Sequence, residues 1–365
     1  MNFNRVVIKV GSALVSPDNN GCSGKYIEAI AHFVTKCHQE NMEVVLVSSG
    51  SVAAGRHLIQ HGSPIPSIQT KQAMAAVGQM KMMANWQRFL DVPCSQLLIT
   101  HGDLKDRERY INIKNTLRIL LANGIIPIVN ENDTVATDEL KVGDNDNLAA
   151  LVALITEADC LIILSDIDGV YNKDPKRNAD AEMFCEITEI TDEIYAMAGT
   201  TNNPIATGGM KTKIQAAEKA VENGIETYIL NGCNSQVFDQ LLLGKNPGTR
   251  FLAKIKVSKA KKHWLKHTLK SHGQLLLDGG AVNAVKNKGA SLLPSGILSI
   301  NGTFLAGDSI DIIDANTNAL IAKGICQYNY QDLFKIKGEN SDKIQGILGF
   351  CPSKVIVHRD DLVIL

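Results

Sequence analysis

The sequence predicts an α/β fold: a mostly parallel sheet sandwiched by helices, followed by a small C-terminal β-barrel. Three observations predict it. Over the first 250 of 365 residues, short β-branched runs alternate with helical stretches, the pattern of a parallel sheet covered on both faces. Beyond about residue 272 the segments become short and alternating, with turn pairs such as Asn301-Gly302 and Gly307-Asp308, as in a β-rich domain. Between the two, residues 251–270 hold seven lysines and no acidic residue, which reads as a linker. The expected division is a catalytic domain over 1–252, a basic linker over 253–271 and a β-rich domain over 272–365.

In chain order, strands are expected at Val6–Val10, Val44–Val47, Leu97–Thr100, Ile125–Val129, Leu161–Leu164 and Thr227–Leu230. Helices are expected over Lys25–Gln39, Thr70–Phe89, Lys114–Leu121, Asn147–Thr156 and Met210–Val221. In the first helix, Ile27, Ile30, Ala31, Val34 and Cys37 recur at helical spacing. Asn-Gly pairs at 123–124 and 223–224 end two helices and lead into strands, as a glycine C-cap does. The Met-rich segment Met74–Met83 reads as helical core, with a subunit interface as the other reading. In the C-terminal domain, strands are expected at Leu298–Ile300, Ser309–Ile313, Ala319–Ala322 and Lys354–His358.

Composition narrows the function. Hydrophobic residues make up 45% and aromatics 5%, so the core is built from Ile, Leu, Val and Ala. No apolar run approaches the ~18 residues of a membrane span. The first ten residues read as a strand and lack the features of a signal peptide. A cytoplasmic protein with no membrane partner is expected. The eight cysteines are scattered without a Cys-x-x-Cys, which argues for reduced, mostly buried thiols. The nine histidines show no metal-ligand spacing. The net charge of −1 conceals −7 over residues 1–250, +7 over 251–270 and −1 over 271–365. A specific nucleic-acid binder carries a basic face, and the basic stretch alone suggests one here. A solvated interdomain segment is the better reading of it, so no nucleic-acid partner is expected.

In parallel sheets ligands bind at the carboxyl ends of the strands, so the loops there matter most. Lys9 ends an apolar run and precedes Gly11; a lysine on a buried strand has to find a counter-charge. Ser48-Ser49-Gly50-Ser51 leads into a helix and suits an anion cradle of backbone N–H groups. Simple N-capping by serine would explain the same residues. Asn130-Glu131-Asn132-Asp133 and Asp144-Asn145-Asp146-Asn147 place four carboxylates and four amides after the fourth strand. The second cluster lacks the glycine and glutamate positions of a calcium loop. A strand ending in Ser165-Asp166 follows. Thr207-Gly208-Gly209-Met210-Lys211-Thr212-Lys213 then opens a helix, where backbone donors and two lysines suit a polyphosphate. There is no G-x-x-x-x-G-K-[ST] and no G-x-G-x-x-G. His358-Arg359-Asp360 looks like the start of a protein-kinase catalytic loop, but position 365 is leucine where that loop needs asparagine.

Together these segments resemble the amino acid kinase family. The matching stretches are IKVGSALV, VSSGSVAAG, QAMAAVGQ, DRERYINIKNTL, PIVNENDTVA, KVGDNDNLAALVA, LSDIDGVYNKDP and ATGGMKTKIQAA, in the family's order. The C-terminal domain, with GASLLPSGI, resembles the PUA barrel that many bacterial members carry. The NEND and VGDNDN pair is most similar to members that act on L-glutamate. Ser51 stands where alanine is commoner, Ala206 where glycine is, and Lys211 where a small residue is usual.

The resemblance implies transfer of the ATP γ-phosphoryl group to the side-chain carboxylate of L-glutamate, the first step toward proline, with Mg2+ travelling on ATP and no dedicated metal cage. It implies Lys9, Lys213 and Asp146 as catalytic residues. Ser49, Asp133 and Asn145 match the glutamate-binding positions, and Gly11 and Gly50 would offer backbone N–H groups to the phosphoryl group. The nucleotide-binding positions fall on Lys9, Ser165, Asp166, Thr207, Gly208, Gly209, Met210, Lys211, Thr212 and Lys213. It also implies feedback by proline and a dimer or tetramer. The competing readings are a kinase for another small carboxylate or nucleotide, and an RNA-binding protein acting through the PUA-like domain.

Overall fold

The computed structural model describes residues 3–60, 62, 66–136, 145–175, 177–197, 209–253 and 271–365. The chain divides into two compact units, Met1–His101 with Thr116–Val257, and Gly102–Asn115 with Ser258–Leu365. A division read along the sequence could not place Gly102–Asn115 with the second unit. The basic stretch at 254–270 lies outside the described residues.

In the first unit, β1 (Arg5–Val10), β2 (Glu43–Ser48), β3 (Cys94–Ile99), β4 (Ile126–Glu131), β5 (Cys160–Ser165), β6 (Glu186–Ile187), β7 (Glu226–Asn231) and β8 (Thr249–Phe251) form one sheet. Its order is β3-β4-β2-β1-β5-β7-β8-β6. The pairs from β3 through to β7 are parallel, β8 runs antiparallel to β7, and β6 pairs parallel with β8. The central strands read as continuous apolar runs because both faces are buried, with Val6, Val7, Ile8, Leu161, Ile162 and Ile163 all fully covered. β3 starts three residues earlier than expected, at Cys94. It is the edge strand, half exposed, so Ser95 and Gln96 can sit in it at little cost.

The helix Ile27–Gln39 buries Ile27, Ile30, Ala31, Val34 and Cys37, the face predicted by their spacing. Gly124 and Gly224 take φ of 68° and 85° where helices turn into β4 and β7. The helix expected from Lys114 starts at Arg107. Its first two turns place Tyr110, Ile111 and Ile113 among Arg107, Glu108, Arg109 and Asn112, and Ile111 is buried, so the apolar face of the helix reaches back beyond Lys114; Asp106 Oδ1 accepts from the Arg109 N–H there at 3.0 Å. In the helix Ile68–Phe89, Met74 and Met82 are buried while Met80 is exposed, so the Met-rich segment is core on one face.

The second unit holds a five-stranded mixed sheet of β9 (Gly273–Leu277), β10 (Ile297–Gly302), β11 (Ser309–Asp314), β12 (Leu320–Ile325) and β13 (Leu362–Ile364), in the order β10-β9-β11-β12-β13. Its core gathers Leu275, Leu277, Ile310, Ile312, Leu333 and Val357. The strand expected at Lys354–His358 does not form; Val357 makes a single isolated bridge to Leu292, and the Ile356 carbonyl instead accepts from the Gln327 N–H at 2.8 Å. Within this unit Lys114 forms an ion pair with Asp361, and the Asn115 Nδ2 donates to Gln327 Oε1 at 3.0 Å. All eight cysteines are free, but three are buried rather than most: Cys37, Cys160 and Cys326. Burial pushes the Cys37 and Cys326 thiols up to about 12.

Candidate active site

The site is built where the parallel strands end. Lys9 lies on the central strand β1, in register with Val47 of β2 and Ile163 of β5. An ammonium buried among apolar strands needs a counter-charge. Asp146 supplies it: its Oδ1 lies 2.6 Å from Lys9 Nζ. Its Oδ2 lies 3.1 Å from Lys213 Nζ and accepts the Thr212 hydroxyl at 2.7 Å. All three charged side chains are buried, Asp146 to 1% exposure. Asp146 sits in the first turn of the helix Asn145–Thr156, where the macrodipole favours a carboxylate. Lys213 and Thr212 sit in the first turn of the helix Met210–Glu222.

Burial alone would raise the Asp146 pKa. The ammonium groups of Lys9 and Lys213, with hydrogen bonds from Lys9 and Thr212, outweigh it and hold the carboxyl well below the usual range. Asp146 is therefore ionised. The cluster carries one carboxylate against two ammonium groups, leaving a net positive charge at the mouth of the sheet. The expected trio of Lys9, Lys213 and Asp146 is thus brought together, with Thr212 added as a fourth member.

Two glycines shape the loops beside it. Gly50 takes φ 109° and ψ 3° between β2 and the short helix Ser51–Gly55, a left-handed backbone that disfavours any side chain. Gly11 takes an ordinary extended backbone, φ −71° and ψ 155°. A Cβ there would stand 3.8 Å from Lys9 Nζ and fill space beside the ammonium. The Gly11 N–H donates to the Leu164 carbonyl at 3.3 Å, which amends the expectation that it points at a ligand. A second pair of glycines seats the helix Ser51–Gly55 on the helix Ile68–Phe89. A Cβ on Gly78 would fall 1.8 Å from the Ser51 carbonyl oxygen, and one on Gly55 would fall 2.0 Å from the Met74 carbonyl oxygen. The stretches VAAG and AAVGQ are therefore a backbone-to-backbone crossing.

The polar residues after β2 and β4 fall into two hydrogen-bonded groups. Ser51 donates its hydroxyl to Asp133 Oδ2 at 2.7 Å. Asn145 Nδ2 donates to Asn130 Oδ1 at 2.8 Å, and Asn130 Nδ2 donates to Gln79 Oε1 at 2.9 Å. Ser49 is half-buried, with its N–H on the Val10 carbonyl at 3.0 Å. Glu131 is buried on β4, with His101 Nδ1 3.6 Å from its Oε2. Ser51 and Asn130 lie in stretches that the sequence marks, but neither they nor Gln79 is assigned a role from the sequence. All three are buried polar residues, a property that no local sequence pattern displays.

Of the residues expected to hold the nucleotide, Ser165 ends β5 and its hydroxyl donates to Asp166 Oδ1 at 3.2 Å; Asp166 is exposed. Gly209 precedes the helix Met210–Glu222 and its carbonyl accepts from the Lys213 N–H at 3.4 Å. Met210 is half-buried and Lys211 exposed, while Lys213 turns inward to Asp146. Thr207 and Gly208 lie outside the described residues, as do Lys141 to Asp144. No helix among the described residues is long and apolar enough to cross a membrane.

Residues 4–231 match the model of the amino acid kinase family, and residues 273–348 that of the PUA domain. The glutamate 5-kinase of Idiomarina loihiensis is 50% identical over 365 residues, covering 100% of this chain and 98% of that protein. The glutamate 5-kinase of Salinibacter ruber is 49% identical over 367 residues, with the same shares of the two chains covered. Glutamate 5-kinase 1 of Pseudoalteromonas translucida is 46% identical over 353 residues, covering 96% of this chain and 95% of that one. With a family model matched over more than half its length and relatives of this similarity along its whole span, the chain belongs to the amino acid kinase family.

Proposed function

We propose that this protein transfers the γ-phosphoryl group of ATP to the side-chain carboxylate of L-glutamate, giving ADP and L-glutamyl 5-phosphate, the first step toward proline. The observation that carries the reading is the sharing of one buried carboxylate, Asp146, by Lys9 and Lys213.

A glutamate side chain has a pKa of about 4.3, so the nucleophile is ionised at neutral pH and needs no base. The obstacle is an anion approaching an anion. A pre-organised positive cluster lowers that barrier because its charges are already oriented before the reaction. A carboxylate oxygen forms the new bond to phosphorus as the bond from phosphorus to the β-phosphate oxygen breaks, and the electron pair leaves with ADP. Lys9 takes the charge spreading over the phosphoryl oxygens, and Lys213 the charge on the leaving side. Asp146 holds both ammonium groups by charge-assisted contacts. Gly50 offers backbone to the transferring group.

Asp133 meets the α-ammonium of glutamate, with Ser49 and Asn145 beside it. Ser165, Asp166 and residues 207–213 hold the nucleotide. The Asp146 carboxylate is committed to Lys9, Lys213 and Thr212, which suits a Mg2+ held by phosphate oxygens and water; bound there, the ion supplies further charge neutralisation. Along the sequence the catalytic domain spans 1–252, the linker 253–271 and the PUA-like domain 272–365, although Gly102–Asn115 groups with the second compact unit. The reading also takes in a cytoplasmic location, a dimer or tetramer, and feedback by proline.

The test is ADP release measured in parallel with L-glutamate, aspartate, acetylglutamate and UMP. Release with glutamate above all others is expected. A preference for any of the other three assigns the protein to a different member of the same fold.

A further inference from the structure

The chain from Gln79 through Asn130 to Asn145 runs out of the core. Gln79 is on the helix Ile68–Phe89 and 7% exposed. Asn130 is on β4 and 1% exposed. Asn145 opens the helix that carries Asp146 and is half-buried. Amides buried this deeply are costly unless they are bonded to one another. The links are directional. Asn145 donates to Asn130, Asn130 donates to Gln79, and Gln79 Nε2 is left without a partner among the described residues. The nitrogens of Asn145 and Asn130 are each committed to the next amide of the chain, toward the core.

We propose that Gln79 is a positioning residue for the ligand site, acting through Asn130 to fix which end of the Asn145 amide faces outward. With its nitrogen held by Asn130, Asn145 turns its oxygen away from the core as an acceptor. Asn145 and Asp133 both match the family's glutamate-binding positions, and together they would offer two acceptors to a ligand ammonium, which carries donors and no acceptor. The ligand class selected is therefore an α-amino acid over its deaminated or acylated analogue. The polarity is set at Gln79, the innermost member, because its Oε1 is the acceptor that orients Asn130. A Cβ on Gly78, next to it, would fall 1.8 Å from the Ser51 carbonyl oxygen, so the two helix backbones are closely packed where Gln79 sits.

The proposal rests on the glutamate reading above. Its test compares Gln79→Met, which keeps the volume and removes the strong acceptor, with Gln79→Glu, which keeps an acceptor and loses the donor. Steady-state constants for glutamate and for ATP are measured for both. Gln79→Met should raise the glutamate KM about tenfold, the scale of one lost hydrogen bond, with kcat and the ATP KM within about twofold. Gln79→Glu should restore the glutamate KM to within about threefold of wild type. If Gln79→Met fails to fold, Gln79→Ala serves in its place. An unchanged glutamate KM in the first variant overturns the assignment, as do glutamate and ATP constants that move together. A glutamate KM raised equally in Gln79→Glu overturns it too, because the amide chain would then run the other way. Wild-type protein that releases no ADP with glutamate would sink the glutamate reading itself, whereas active wild type with an insensitive Gln79→Met sinks this inference alone.

Discussion

Ser51 and Asp133, 82 positions apart, are joined by a 2.7 Å hydrogen bond in which the serine hydroxyl donates to the carboxylate. Ser51 is 3% exposed, so the hydroxyl has little water to turn to. A hydrogen bond to a charged group holds a side chain in one orientation more firmly than a neutral one. The relation ties the loop after β4 to the short helix after β2. It does so at a position where the family resemblance leads one to expect alanine.

Replacing Ser51 by alanine should therefore leave the fold and turnover intact while loosening Asp133. We expect the glutamate KM to rise about fivefold, with the ATP KM unchanged. Initial-rate measurements with each substrate varied in turn would show it, and equal constants in wild type and variant would mean that Asp133 is held by its other contacts.

Gly78→Ala is expected to act through backbone geometry. The added methyl would sit 1.8 Å from the Ser51 carbonyl and 2.6 Å from the Gly55 nitrogen. Neither backbone atom can rotate away, so the two helices must part. Overpacking of this kind costs about 1–3 kcal/mol. Thermal unfolding should show the loss, and the glutamate KM should rise with it because Ser49, Gly50 and Ser51 move. A variant as stable as wild type would show that the crossing can open freely.

Lys9→Ala and Lys213→Ala should each lower kcat by about 10²–10³, the scale seen when one charge-stabilising donor is removed from a reaction site. Substrate-saturated rates decide this; wild-type turnover in either variant would remove that lysine from the mechanism. The Asp146 cluster predicts a shared effect, since either loss leaves the remaining ammonium with the whole carboxylate.

Asp146→Asn leaves two buried ammonium groups facing one another, and breaking a buried pair in this way costs about 3–5 kcal/mol. The pH dependence has a definite sign. The folded carboxyl is held below its unfolded value, which is near 3.9. Its contribution is thus fully present above that value and fades only as pH falls through the folded one. The stability gap between wild type and Asp146→Asn, measured by urea unfolding, should stay constant from pH 8 to 5 and narrow only below about pH 4. Closure of the gap already between pH 7 and 5 would mean the carboxyl is not depressed.

The central strands and the principal helices were legible in the sequence because each depends on local pattern, whereas the grouping of Lys9 with Lys213 came from the family resemblance. Val6–Val10 and Leu161–Leu164 are apolar on both faces and of strand length, and Gly124 and Gly224 sit where a helix must turn into a strand. A lysine at the end of such a strand demands an anion wherever the chain later supplies one. Asp146 as that anion followed from the family pattern, and its 2.6 and 3.1 Å contacts meet the demand.

The tertiary structure decided what has no local signature. The bond from Ser51 to Asp133 and the Gln79–Asn130–Asn145 chain depend on β2 lying next to β4 in the sheet. They also depend on two glycines letting helix backbones touch. The engagement of the Gly11 N–H with Leu164 follows from β5 lying beside β1. The grouping of Gly102–Asn115 with the second unit follows from long-range contacts such as Lys114 with Asp361. Periodicity reports which face of an element is covered. Which polar atom meets which is set by the strand order and by the approach of distant backbones, and neither is encoded within the few residues that a sequence pattern spans.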